Sequence, residues 1–254
     1  MGRTRCEYNW KDSGRQVFFD DVTHETIHGM FPIHFYDDFL GYKFNKYIAN
    51  ENTVAPWTTV VTDMNLAPLL VANEPNGVVQ ITLDVDDITQ QGVIYWGDQL
   101  SLDISKGLIF EFRATFNVLA LTGTETVQAV MGVASATGAT LDNIATNAWF
   151  KVESAANTVL LYESDDGDDD DNDNAAGITL VADTYHIFRI DFTDVTNVRF
   201  YVDGALVGTT SMATLSAAEA KVQPYFCMSK TKSAANTGTG TIYLDYVKIW
   251  QNRE

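Results

Sequence analysis

At 254 residues, nearly half of them apolar, the chain is long enough to bury one large core, and all-β domains of this size are commonly single units. Its formal charge of −18 excludes a nucleic-acid partner, because phosphate binding needs a basic surface, and it repels anionic membranes. No apolar run reaches the ~20 residues of a membrane span, and the N-terminal stretch lacks the apolar segment of a secretory signal.

Residues 1–33 are polar and irregular, with two aromatic pairs of note, Tyr8/Trp10 and Phe18/Phe19. They read as an extended N-terminal arm whose Trp10, Phe18 and Phe19 anchor on a neighbouring subunit. Within it, His24-Glu25-Thr26-Ile27-His28 matches H-E-x-x-H, and His34 follows six residues later. On a helix, histidines at i and i+4 share one face and bind zinc while the glutamate activates the bound water. Pro32 ends any such helix at once, and Phe31 stands where the extended three-histidine pattern needs glycine. The segment therefore reads as a short helix or turn, capped by Thr23, that joins arm to domain. A zinc hydrolase remains a remote reading, and an incidental zinc on His24, His28 and His34 a lesser one.

From residue 34 to 254 the texture changes to short runs of Val, Ile, Phe, Tyr and Thr separated by Gly, Asn and Asp, as in many strands joined by turns. Strands are expected at 58–63, 76–84, 92–98, 126–135, 148–154, 157–164, 177–182, 224–230 and 241–250. In "GLIFEFRATF", Leu108, Phe110, Phe112, Ala114 and Phe116 alternate with Glu111, Arg113 and Thr115, so one face is expected on a core and the other wet. "YHIFRIDF" puts Phe188, Ile190 and Phe192 inward and Arg189 and Asp191 outward by the same rule. Asp203-Gly204 supplies the two positive-φ positions of a tight hairpin turn. Only residues 211–221 suggest helix, for a turn or two. The fold class is all-β, a two-sheet antiparallel jelly-roll sandwich. Of the two cysteines, Cys227 lies in an apolar run and reads as a buried free thiol, consistent with folding in a reducing cytoplasm.

The segments "FYDDFLG" (35–41), "APWTTV" (55–60), "RFYVDGALVG" (199–208) and "TIYLDYVKIW" (241–250) resemble the concanavalin A-like lectin/glucanase superfamily, the laminin-G-like jelly rolls in particular. "IYWGDQL" (94–100), "AWFKVESAANTVLLYESDDG" (148–167) and residues 223–252 look like tailed-phage virion proteins built on that jelly roll. What this resemblance implies is a non-enzymatic capsid-decoration protein on the virion surface, assembled in the host cytoplasm. Its expected partners are another virion protein and further copies of itself, as a homo-oligomer, with a host-surface glycan as a further candidate.

The resemblance raises three site questions. Laminin-G-like domains often hold calcium on a loop at the sandwich rim, and here eight carboxylates lie between Glu163 and Asp173. Asp165, Asp166 and Asp168 are the candidate calcium ligands, against a plain reading as a solvated hairpin loop. Glucanases of the superfamily carry alternate glutamates on one strand, and Glu163-Ser164-Asp165-Asp166-Gly167-Asp168 lacks that pattern, so no catalytic residue is assigned. A lectin-like module, calcium-dependent or not, is the alternative function. Trp57, Trp96 and Trp149 are its candidate platforms, although tryptophans in strand-like segments are more often core.

Overall fold

The computed structural model describes residues 6–10, 16–20, 26–28, 33–40, 57–85, 88–117, 127–153, 159–231 and 239–253, with side chains from residue 33 onward. β1 (Cys6–Trp10), β2 (Gln16–Asp20) and β3 (Thr26–His28) form a small antiparallel sheet of their own. The segment expected as a single extended arm is thus folded back on itself. In it, Phe18 pairs with Tyr8 and Ile27, and His28 pairs with Val17.

Sixteen strands follow: β4 (Ile33–Asp37), β5 (Thr58–Thr62), β6 (Leu69–Leu70), β7 (Val79–Leu83), β8 (Gln90–Tyr95), β9 (Leu102–Asp103), β10 (Ile109–Asn117), β11 (Val127–Ala134), β12 (Thr146–Glu153), β13 (Val159–Asp166), β14 (Asp170–Thr179), β15 (His186–Asp191), β16 (Val198–Val202), β17 (Ala205–Thr210), β18 (Lys221–Lys230) and β19 (Gly240–Gln251). They make two antiparallel sheets of eight. Sheet I runs β17-β16-β15-β10-β19-β7-β6, with β4 also on β19, and sheet II runs β14-β13-β12-β11-β18-β8-β5, with β9 also on β18. This is the expected two-sheet sandwich.

The alternation read from sequence fills the space between the sheets. Phe110, Phe112, Phe188 and Phe200 from sheet I meet Phe150, Tyr162 and Phe226 from sheet II in one buried cluster. Burying each such ring stabilises by ~1.5–3 kcal/mol. Phe35 of β4 lies 6.0 Å from Trp57 and 5.1 Å from Trp96, centroid to centroid, and Phe39 lies 5.7 Å from Trp57. The Trp57 indole N–H donates to Asp37 Oδ2 at 2.7 Å. The two segments that open the domain are therefore joined in one aromatic cluster.

The tight hairpin at Asp203-Gly204 forms as expected, with φ of 48° and 77° and Val202 paired to Ala205. The suggested helix at 211–221 does not form. A single turn takes its place, in which Ala220 N–H bonds Ser216 O, while Ser216 and Glu219 cap each other's amides. Not all the outward positions are wet, either: Glu111, Thr115 and Asp191 are all buried. Neighbours on the same face cover Glu111, where Tyr246 Oη donates to Glu111 Oε1 at 3.2 Å and Lys248 Nζ lies 3.7 Å away. Asp191 is held by the amide and hydroxyl of Thr193 at the end of β15.

The outside of sheet II is apolar as well. Val93, Val130, Trp149, Tyr225 and Cys227 form a second buried cluster with Leu141 and Ile144 of the segment between β11 and β12. That segment is pinned by Gln91 Nε2–H donating to Gly138 O at 2.8 Å. Cys227 is the expected buried free thiol, pushed up to about 12 by burial. Gly132 on β11 leaves no room for a side chain: a Cβ there would sit 2.2 Å from Ala148 O and 2.6 Å from Trp149 Cα. Gly177 has φ of +70° and open space around it. Gly132→Ala is accordingly expected to cost ~3 kcal/mol or more through steric displacement of β12, and Gly177→Ala only ~1 kcal/mol through backbone strain. Urea denaturation of the two variants checks that order.

Candidate functional site

The outer face of sheet I stays open near the β6–β7 end. On β10, Ala114 and Phe116 point into the core, so Thr115 and Asn117 are successive positions on the opposite face. The strand register sets Thr115 beside Tyr243 and Asn117 beside Thr241. Tyr185 joins them from the segment entering β15, where Asp183 adopts φ of 61° and its N–H bonds Phe116 O at 2.8 Å. The facing wall is the β6–β7 turn, closed by Val71 N–H to Val78 O at 2.8 Å and Gly77 N–H to Glu74 O at 3.3 Å.

These residues enclose a cleft of about 250 Å³, lined by Thr115, Asn117, Asp183, Tyr185 and Tyr243, with Val71, Glu74 and Val78 from the turn. That is below the ~300–1,000 Å³ usual for drug-sized ligands, so the cleft suits one small polar unit. Thr115 is 2% exposed, and among the described residues its hydroxyl has no hydrogen-bond partner. The Arg113 guanidinium lies 4.1 Å from the centre of the Tyr185 ring and is ion-paired with Asp245. Burial raises the Tyr185 phenol above its ordinary value; Asp245, Glu74 and Tyr243 push the same way, with Arg113 opposing. The cleft combines tyrosine rings, an amide, carboxylates and an unsatisfied hydroxyl, and so offers stacking and hydrogen bonds in both directions.

The residues singled out from sequence lie elsewhere. Trp57 and Trp149 are fully buried, and Trp96 is partly buried against Phe35. None of the three is an open platform. His24 and Glu25 fall outside the described residues, and His28 sits on β3. The short helix or turn expected at this junction is thus replaced, over Thr26–His28, by a strand paired to Val17–Phe19, which removes the helical spacing that H-E-x-x-H chemistry needs. His34 is on β4, exposed and paired through its backbone with Trp250; burial and then Lys248 lower its affinity for a proton. The side chains of Trp10, Phe18 and Phe19 also lie outside the description, their backbones being in β1 and β2.

The acidic run is not a long solvated loop. β13 extends to Asp166 and β14 begins at Asp170, which leaves a turn of three residues with Gly167 at φ of 93°. Asp166 is buried, and its carboxylate accepts the backbone N–H groups of Asp168, Asp169 and Thr214 at 3.2, 2.9 and 3.0 Å. Asp165 accepts from Gly167 N–H at 2.7 Å, and as the neighbour of Asp166 on a strand it faces the other way. Asp165, Asp166 and Asp168 are therefore not brought together as a ligand set. Among the described residues no three His, Cys, Asp or Glu side chains converge to hold a metal.

The hairpin does carry a buried ionic group. Lys151 Nζ lies 2.8 Å from Asp173 Oδ1 and 3.4 Å from both Glu163 Oε2 and Glu153 Oε2, while the Trp149 indole N–H donates to Glu163 Oε1. Burial opposes the charge on Lys151, but the Asp173 hydrogen bond and the carboxylates of Glu163 and Glu153 outweigh it and raise its affinity for a proton. Burial pushes Glu163 up to about 7, against the opposing pull of Lys151 and Trp149.

No family profile matches the chain, and no curated protein matches it. Solved structures do. A structure described under endo-acting O-glycanases expressed by human gut microbiota to initiate mucin breakdown has a TM-score of 0.55 at 13% identity, over 85% of this chain and 98% of that one. The potassium-bound carbohydrate recognition domain of Emp46p has a TM-score of 0.52 at 7% identity, over 83% and 95%. The binding domain of botulinum neurotoxin DC, solved with rat synaptotagmin II, has a TM-score of 0.50 at 10% identity, over 77% of this chain and 43% of that chain. These likenesses establish the β-sandwich jelly roll and are compatible with a concanavalin A-like fold. The resemblance to phage virion proteins has no counterpart among them.

Because folded Glu163 binds its proton more tightly than the unfolded value of 4.5 allows, its contribution to stability is full below that value and is lost as pH rises through about 7. The urea midpoint is expected to rise between about pH 7 and about pH 5 by more in the parent than in Glu163→Gln. Relief of general acidic repulsion is common to both proteins, so the difference between their pH profiles isolates this group. Parallel profiles would disprove the assignment.

Proposed function

We propose that the chain is a non-enzymatic, lectin-like carbohydrate-binding module that takes one glycosyl unit into the cleft at Thr115, Asn117, Tyr185 and Tyr243. The observation that carries this reading is the convergence of two tyrosines with polar side chains that, among the described residues, have no protein partner. Among the described residues, the Asn117 amide and the Glu74 and Asp183 carboxylates, like the Thr115 hydroxyl, make no side-chain hydrogen bond or ion pair. A sugar ring presents an apolar C–H face to an aromatic ring and hydroxyls that both donate and accept, which is the complement of this set.

The likeness in fold to a carbohydrate recognition domain and to an O-glycanase structure supports the same reading. A binding rather than hydrolytic role is favoured because no strand carries the alternating glutamates of the superfamily's glucanases. The sequence resemblance to virion proteins supports a setting on the surface of a phage particle, where a sugar-binding module meets host glycans. Its charge of −18 suits that solvent-facing position.

A glycan array probed with the purified chain is expected to show discrete sugar binding. Tyr243→Ala combined with Asn117→Ala is expected to weaken it about tenfold or more, from the loss of one stacking contact and at least one hydrogen bond. Circular dichroism should be unchanged, since Tyr243 and Asn117 are on the outer face. EDTA should leave binding unaltered, because no metal-ligand set faces the cleft among the described residues. An array with no positive sugar, or full binding by the double variant, would sink the proposal.

A further inference from the structure

The lining of the cleft is acidic. Of its lining residues only Glu74 and Asp183 carry a carboxyl group, and none is Lys, Arg or His. Arg113 lies beside the cleft, against Tyr185. It is already committed to Asp245 and to the face of the Tyr185 ring, so it offsets Asp245 rather than the two open carboxylates. Glu74 and Asp245 both raise the Tyr185 phenol, so their charge is felt at the aromatic wall of the cleft. Thr115 on the floor, 2% exposed and without a hydrogen-bond partner, adds an independent sign that a polar ligand group belongs there.

Resting on the carbohydrate-binding reading above, we infer that the cleft selects a basic sugar, a hexosamine with a free ammonium group set between Glu74 and Asp183, and rejects acidic sugars. A sialyl, sulfated or uronic unit would bring a like charge into the cleft and meet repulsion from both walls. An N-acetylated unit keeps the ring hydroxyls and forfeits the charge. The ammonium group supplies three donors to carboxylates that otherwise face water alone.

NMR titration with the methyl glycosides of glucosamine, N-acetylglucosamine and glucuronic acid, at mildly acidic pH, tests this directly. Glucosamine is expected to bind on the order of fivefold more tightly than its N-acetyl form, as suits half-screened charges, and glucuronic acid not measurably. The double variant Glu74→Gln, Asp183→Asn is expected to bring the affinities for glucosamine and its N-acetyl form together, whatever their common level. Both side chains are exposed, and Asn tolerates the positive φ at position 183. Equal affinities, or an inverted order, overturn the inference. So does a preference that survives in the double variant, because the overall charge of the protein would then be its source. If these three sugars fail while another sugar on the array binds, selection of a basic sugar is wrong and the module stands. If no sugar binds at all, both fall.

Discussion

Phe112 is the contact on which the sandwich turns. Its ring stacks on Phe188 of the same sheet, with centroids 5.0 Å apart and planes at 14°, and meets Phe226 and Phe150 of the opposite sheet edge-on at 5.3 and 6.3 Å. Phe150 continues the chain to Phe200, and Tyr162, its cross-strand partner in sheet II, also packs on Phe200. Each of these aromatic pairs adds ~0.5–1.5 kcal/mol beyond the area it buries, and the edge-on geometry fixes how far apart the sheets stand. At the β17 edge the spacing is tight enough that a Cβ on Gly208 would lie 2.1 Å from the Tyr162 hydroxyl.

With the inner faces locked, the outer faces divide the labour. Sheet II is closed on its outside by the Leu141–Ile144 segment and by the Lys151–Glu163 group, so its polar residues serve packing. Much of the outside of sheet I is tiled by tyrosines and cations, with Lys248 4.3 Å from the centre of the Tyr246 ring and Arg189 4.0 Å from that of Tyr201. The tiling stops at Tyr185 and Tyr243, beside the short β6. There the face has been left concave, with the Thr115 hydroxyl unsatisfied at its floor and carboxylates exposed at its rim.

The alternation in "GLIFEFRATF" and "YHIFRIDF" revealed the inner face because residues two apart on a strand must share a side, and every inward assignment made from them is buried. Glu111 and Asp191 show the limit of that rule. Alternation says which side a residue faces, while burial on that side depends on what a distant strand lays over it. The cleft was hidden for the same reason. Thr115 reads as an outward position, yet nothing in the local pattern states that residue 115 pairs with 243. The acidic run misled differently: its density of like charge suggested a loop, whereas cross-strand pairing and the amides collected by Asp166 hold it as a hairpin. Tryptophan drew attention as a sugar platform, but its large apolar area made it core in Trp57 and Trp149, leaving the smaller, amphipathic tyrosines for the surface.

β19 has a consequence for how such a molecule comes into being. It pairs with β10 along one side and, on the other, with β7 through residues 240–244 and with β4 through residues 247–251. Three strands made much earlier thus wait for a central partner that is the last of the described strands to leave the ribosome. Until then β4, β7 and β10 each expose an unpaired backbone edge beside apolar side chains, a state open to mispairing between nascent chains. Closure of sheet I is consequently a late, long-range event, and folding of this sandwich is slow and most vulnerable just before its completion.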